Sequence, residues 1–186
     1  EMLRSLVGSE MCIRDSHYYE LGNTDSLRLV TYEYMEWADR CHRNTDRYQA
    51  WRQYIQRMTE KGMQEEAMKE TDLLCKDAEK RKDKYGMASG EMCIGYNHRV
   101  FGQNIKLCLE YYDSALKHFE EGKYYRDAYV VSLNIIQTNL ARQSYSDAVP
   151  YLDRLGQLGK TVEGKDVVIG AVSYTHLRAH ETPEHL

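Results

Sequence analysis

Gly159-Lys160-Thr161, within LGQLGKTVEGKD, carries the tail of a phosphate-binding loop. Such a loop needs another glycine five positions before Gly159, so that backbone N–H groups can curl around phosphate oxygens. Position 154 is Arg and no hydrophobic strand precedes the string, so it reads as a loop closing a helical unit. Cys41-His42 is an adjacent pair of soft metal ligands, but zinc needs two more at suitable spacing and the neighbourhood supplies none. The run KDAEKRKDKYG interleaves Asp77, Glu79 and Asp83 with its bases, which suits a solvated helix end with i,i+4 pairs better than a nucleic-acid reader. His17, His42, His98 and His118 fall on different expected helices or ends, with no serine or paired carboxylate at an informative spacing. Neither a catalytic constellation nor a cofactor is expected.

The two ends mirror one another. Residues 1–16 and residues 171–186 read backwards can be written, pair by pair, as reverse-complementary codons: Met11 (ATG) opposes His176 (CAT), and Glu1 (GAG) opposes Leu186 (CTC). The rule breaks at His17 and Gly170. The strings EMCIRDS and VSYTHLRAHET also resemble translated adapter sequence from sequencing libraries. Both ends are therefore expected to be non-native. That leaves 17–159 as the folded unit and 160–170 as a truncated loop or the start of a next element.

Without those ends the histidine-rich tail disappears, and Cys41, Cys75, Cys93 and Cys108 remain, with no C-x-x-C among them. Disulfide scaffolding is not expected. The ends carry three basic and five acidic residues, so the net charge moves from −4 to −2. That balance offers no basic excess for a phosphate backbone, and nucleic acid is not an expected partner. No apolar run approaches the roughly 18 residues of a membrane span, so no membrane insertion is expected.

Helix formers dominate residues 17–170, Pro150 is their only proline, and strand-like patterning is confined to VVIG near the end. Four segments align: GNTDSLRLVTYEYM, GMQEEAMKETDLLC, QNIKLCLEYYDSAL and QSYSDAVPYLDRLG. Their sixth residues are Leu27, Ala67, Cys108 and Ala148, at spacings of 40, 41 and 40. Small side chains at three of these positions predict close helix crossings. The segments between supply partner helices, with Tyr48, Trp51, Ile55 and Met58 on the first, Met87, Ile94 and Phe101 on the second, and Val131, Ile135, Ile136 and Leu140 on the third. Gly62, Gly102 and Gly122 mark helix ends, the first two as left-handed caps. The fifteen tyrosines of 17–170 suit packing positions with a wet hydroxyl.

The stretch YGMASGEMCIGYNHRVFGQNIKLCLEYYDSALKHFEEG resembles a tetratricopeptide repeat. Ile94-Gly95 stand for its Leu-Gly pair, and Leu109 to Tyr112, Ala115-Leu116 and Phe119 match its second helix. Trp51, Gly62 and Ala67 continue the pattern before it, and Tyr145 and Ala148 after it. His98 and Cys108 depart from the pattern, and one residue is inserted near Gly102. The spacing is also nearer 40 than the family's usual length of about 34. The resemblance implies an all-α, right-handed solenoid of antiparallel helix pairs. It implies a recognition groove on the first helices, at Arg52 and Gln56, Tyr96 and Arg99, and Asn134 and Gln137. The partner would be a protein, a peptide or, through Arg52 and Arg99, an acidic small ligand. The long period and tyrosine content also resemble helical sensor regions of bacterial signalling proteins, such as histidine kinases or helix-turn-helix regulators. Such a region would be periplasmic in a membrane kinase and cytoplasmic otherwise. A non-signalling scaffold or adaptor is the alternative.

Overall fold

A computed structural model describes residues 24–161 of the chain. The mirrored ends, Tyr18-Tyr19 and the VVIG string lie outside the described residues. Within them the protein is all-α, with seven helices and no strand. These are α1 (Thr24–Arg40), α2 (Asn44–Glu60), α3 (Gln64–Arg81), α4 (Lys84–Val100), α5 (Ile105–Glu121), α6 (Tyr125–Ala141) and α7 (Tyr145–Gly159). Successive helices start 20 residues apart, except that α5 starts 21 after α4.

Only two to four residues join each helix to the next. A connection that short folds the chain straight back, so neighbouring helices pack as hairpins. Each of the six connections holds one residue with positive φ: His42, Gly62, Lys82, Gly102, Lys123 or Gln143. Gly62 (φ +74°) and Gly102 (φ +64°) adopt the left-handed conformation that their positions predict. Gly122 does end α5, but with φ −80°, and Lys123 is the left-handed residue. The glycine is needed there for space: a Cβ would come within 2.4 Å of the Tyr124 ring. The inserted residue near Gly102 is absorbed in the longest connection, where Asn104 caps α5 by accepting from the Leu107 N–H at 3.0 Å. Asp83 caps α4 in the same way through the Gly86 N–H.

Leu27, Ala67, Cys108 and Ala148 are all buried, on α1, α3, α5 and α7. On α2 the whole expected set of Tyr48, Trp51, Ile55 and Met58 is buried, as are Val131, Ile135 and Ile136 on α6. The α4 expectation needs correcting. Met87, Ile94 and Phe101 are only half-buried, while Tyr85, Ala88, Ser89, Met92, Cys93 and Asn97 are the buried ones. The reason is that α4 packs against α2, α3 and α5 together. A helix enclosed by three neighbours has no single apolar stripe to read, and small residues let the neighbours approach. A Cβ on Gly95 would meet Tyr112 Cδ1 at 2.7 Å and the Cys108 carbonyl oxygen at 3.1 Å.

Alternate helices are also tied side by side. Tyr32 of α1 donates to Glu70 of α3 at 2.8 Å, and Tyr151 of α7 donates to Asp113 of α5 at 2.5 Å. Asn97 of α4 links Thr59 of α2 and Thr71 of α3 through hydrogen bonds in the core. A second tie is ionic. Arg47 and Arg81 each bond both Asp39 and Asp77, a closed set of four charges across α1, α2 and α3. The charged run at 76–86 thus does more than cover a solvated helix end, because Asp77 and Arg81 hold three helices together.

Candidate functional site

Helical spacing places Arg52 and Gln56 on one face of α2, Met92, Tyr96 and Arg99 on one face of α4, and Val130, Asn134 and Gln137 on one face of α6. These three faces meet. They border a half-open cavity of about 70 Å³, lined from α2 by Arg52, Ile55 and Gln56. Met92, Cys93 and Tyr96 line it from α4, and Val130 and Asn134 from α6. Four of the six expected site residues therefore share one cavity. The remaining two meet beside it, where Arg99 Nη1 donates to Gln137 Oε1 at 3.2 Å and the Arg99 guanidinium lies 5.0 Å from the Tyr96 ring centre.

The two arginines differ in charge accounting. Arg52 Nη2 donates to Asp127 Oδ1 at 2.5 Å, and the Tyr85 hydroxyl donates to the same oxygen at 3.2 Å. Arg52 Nη1 also reaches the Met92 sulfur, and the guanidinium sits 5.8 Å over the Phe119 ring. Burial works against the Arg52 charge, but Tyr85 and Asp127 outweigh it and hold the group protonated above its usual value. The Arg52 charge, expected from the sequence to favour an acidic ligand, is paired with Asp127 in this structure. Arg99 has no carboxylate partner among the described residues, and its bond to Gln137 is to a neutral amide. Glu60 sits on the rim, accepting from Gln56 Nε2 at 2.8 Å and from the Tyr96 hydroxyl at 3.4 Å, with Arg57 3.6 Å away.

The cavity floor is neutral. Burial pushes the Cys93 thiol up to about 12, well above its usual 9.0, with the Arg52 charge only partly opposing this. Desolvation likewise raises Tyr96, with Glu60 adding to it and Arg99 opposing. Both groups stay protonated near neutral pH and face the cavity as weak, uncharged hydrogen-bonding groups.

Met92 and Val130 were legible in principle, since each lies four residues before an expected site residue on the same helix face. Asp127 had no sequence signal, because it meets Arg52 across 75 residues. Elsewhere, Ser114 and His118 bind opposite oxygens of Glu91, each at 2.8 Å. A serine nucleophile needs its base beside it, whereas here the carboxylate stands between them. Gly159-Lys160-Thr161 closes the C-terminal end of α7, whereas a phosphate loop feeds a helix N-terminus. Cys41 and His42 lie in the α1–α2 turn, and among the described residues no three His, Cys, Asp or Glu side chains converge to hold a metal. No helix among them is long and apolar enough to cross a membrane. The chain matches no protein-family model and none of the curated proteins, so the chemistry of the site rests on its own geometry.

Proposed function

We propose that the chain is a tetratricopeptide-like helical-repeat module that binds a protein, peptide or small ligand on the face formed by α2, α4 and α6. In this reading α2–α3, α4–α5 and α6–α7 are successive helix pairs of a right-handed solenoid with a period of about 40. Helix starts 20 or 21 residues apart support it, as do the four buried positions Leu27, Ala67, Cys108 and Ala148.

One observation carries the recognition reading: Arg52, Gln56, Tyr96 and Asn134, from three helices, line one cavity with the Arg99–Gln137 pair beside it. Three parallel rows of polar side chains around an apolar floor suit selective binding, because a mismatched ligand leaves a donor or acceptor unpaired at a cost of about 1–3 kcal/mol. Any preference for an acid rests on Arg99. No enzymatic step is assigned to the face. Placement in a bacterial sensor protein rests on the sequence resemblance alone. Recovery of the complete gene tests it: a membrane helix with a kinase module, or a helix-turn-helix domain, supports it, and further repeats alone support a scaffold.

The test of the surface is selection from a random peptide library by the full chain, followed by affinity measurements on a Gln56→Ala/Asn134→Ala/Gln137→Ala variant. A loss of about tenfold or more, from two or three hydrogen bonds, is expected with the melting curve unchanged. Undiminished affinity in the folded variant places recognition elsewhere.

A further inference from the structure

We propose that the cavity between α2, α4 and α6 takes a small aliphatic monocarboxylate, with its branched alkyl end among Ile55, Met92 and Val130 and its carboxylate on Arg99. This rests on the recognition reading of that face and names the ligand's chemistry.

Size sets the alkyl end. A dry cavity of about 150 Å³ lined by aliphatic side chains binds benzene. The cavity here is about 70 Å³, suited to a smaller branched group. Its floor of Ile55, Met92, Val130 and the neutral Cys93 thiol offers an alkyl group dispersion contacts and no charge to desolvate.

Charge sets the orientation. A carboxylate placed at the Arg52 end would meet Asp127, which already accepts from Arg52 and from Tyr85. Beside the cavity-lining Tyr96 stands Arg99, its guanidinium 5.0 Å from that ring and its Nη1 donating to the neutral Gln137 amide, with no carboxylate partner among the described residues. The Glu60 carboxylate on the same rim is already engaged by Arg57, Gln56 and Tyr96. A ligand carboxylate therefore gains a charge-assisted bond at Arg99. Its alkyl end then points inward, away from solvent.

Three probes separate the terms: 3-methylbutanoate carries both features, 3-methylbutanamide lacks the charge, and acetate lacks the branched alkyl group. Methionine-methyl NMR of the full chain, with Met92 assigned through Met92→Leu, reads occupancy of the cavity. 3-Methylbutanoate is expected to shift Met92, with the amide weaker by about tenfold or more through the loss of one bond to a charged group. Acetate should be weaker by about tenfold or more through the loss of the buried alkyl carbons. Arg99→Gln should weaken the acid to the level of the amide and leave the amide unchanged. Val130→Phe, which fills the cavity, should abolish the shift while the melting curve stays intact. Equal binding of acid and amide, or an unchanged acid affinity in Arg99→Gln, overturns the assignment. Absence of a Met92 shift with the acid also overturns it. If library peptides still depend on Gln56, Asn134 and Gln137, the recognition face survives that failure; if they do not, both readings fall together.

Discussion

Arg52 on α2 reaches past α4 to Asp127 on α6, closing a 2.5 Å ion pair between residues 75 apart in sequence. Arg52 lines the cavity, and Tyr85 of α4 donates to the same carboxylate oxygen of Asp127. Three alternate helices are thus fixed around one partly buried charge pair. The arrangement holds the face formed by α2, α4 and α6 in shape and pairs one of its two arginine charges within the fold.

Asp127→Ala should destabilise the protein by about 3 kcal/mol, the lower end for orphaning a buried charge. The lower end applies because the two side chains retain 12% and 16% exposure, which leaves some solvent screening. The double variant Arg52→Met/Asp127→Leu should recover most of that loss, since no charge is then left unpaired. Urea melts of the single variant and the double variant check this. A single-variant cost within error of zero would show that the pair does not hold α2 to α6.

Trp51 is buried, and its Nε1 donates to Glu70 Oε2 at 2.9 Å. Trp51→Ala should cost about 3–5 kcal/mol through the cavity it leaves. Trp51→Phe keeps most of the packing but leaves Glu70 with one donor fewer, at about 1–3 kcal/mol. Equilibrium unfolding should rank wild type, Phe, then Ala. If the Ala variant melts with the parent, α2 and α3 are not paired through this residue.

Two glycines should respond with opposite signs. Gly95→Ala places a methyl group against the fully buried Tyr112 ring and the Cys108 carbonyl, so overpacking should cost about 1–3 kcal/mol. Gly156, inside α7, has nothing within 4 Å of an added Cβ, so Gly156→Ala should stabilise by about 0.5–1 kcal/mol from helix propensity. Matched thermal melts decide. A stabilised Gly95→Ala would mean that α4 and α5 do not approach at this point.

Stability should fall in alkaline solution. Burial raises the thiols of Cys75 and Cys108 to about 11 and that of Cys93 to about 12, from 9.0. Below 9.0 both folded and unfolded chains hold these protons, so the three thiols give no pH dependence there. Between 9.0 and about 11–12 the unfolded chain loses protons that the folded chain keeps. The unfolding free energy therefore decreases as pH rises through that window. Melts at about pH 8 and about pH 10 should show the drop, and Cys93→Ala/Cys108→Ala should make it shallower. An identical pH slope in the variant would remove the thiols as its cause.

The sequence by itself determined the helices and where they turn. Helix formers, the glycines at 62 and 102 and the asparagine and aspartate caps act over a few residues, so their effects are written locally. It also located Leu27, Ala67, Cys108 and Ala148 as buried points, because a helix against one side of a layer leaves a periodic signature. The six candidate site residues were implied by the family resemblance, and i,i+3 or i,i+4 spacing puts each pair on one helix face, which is likewise local. Tertiary structure alone decided the rest. Burial of α4 on three sides erased its single stripe, so Met87, Ile94 and Phe101 sit half-exposed while Ser89 and Asn97 are enclosed. The union of the three faces into one cavity depends on how helices 20 or more residues apart lie side by side. The commitment of Arg52 to Asp127 depends on the same packing. A charge has no preferred partner in sequence; it takes the one that folding brings within a few ångströms in a medium where leaving it alone is costly.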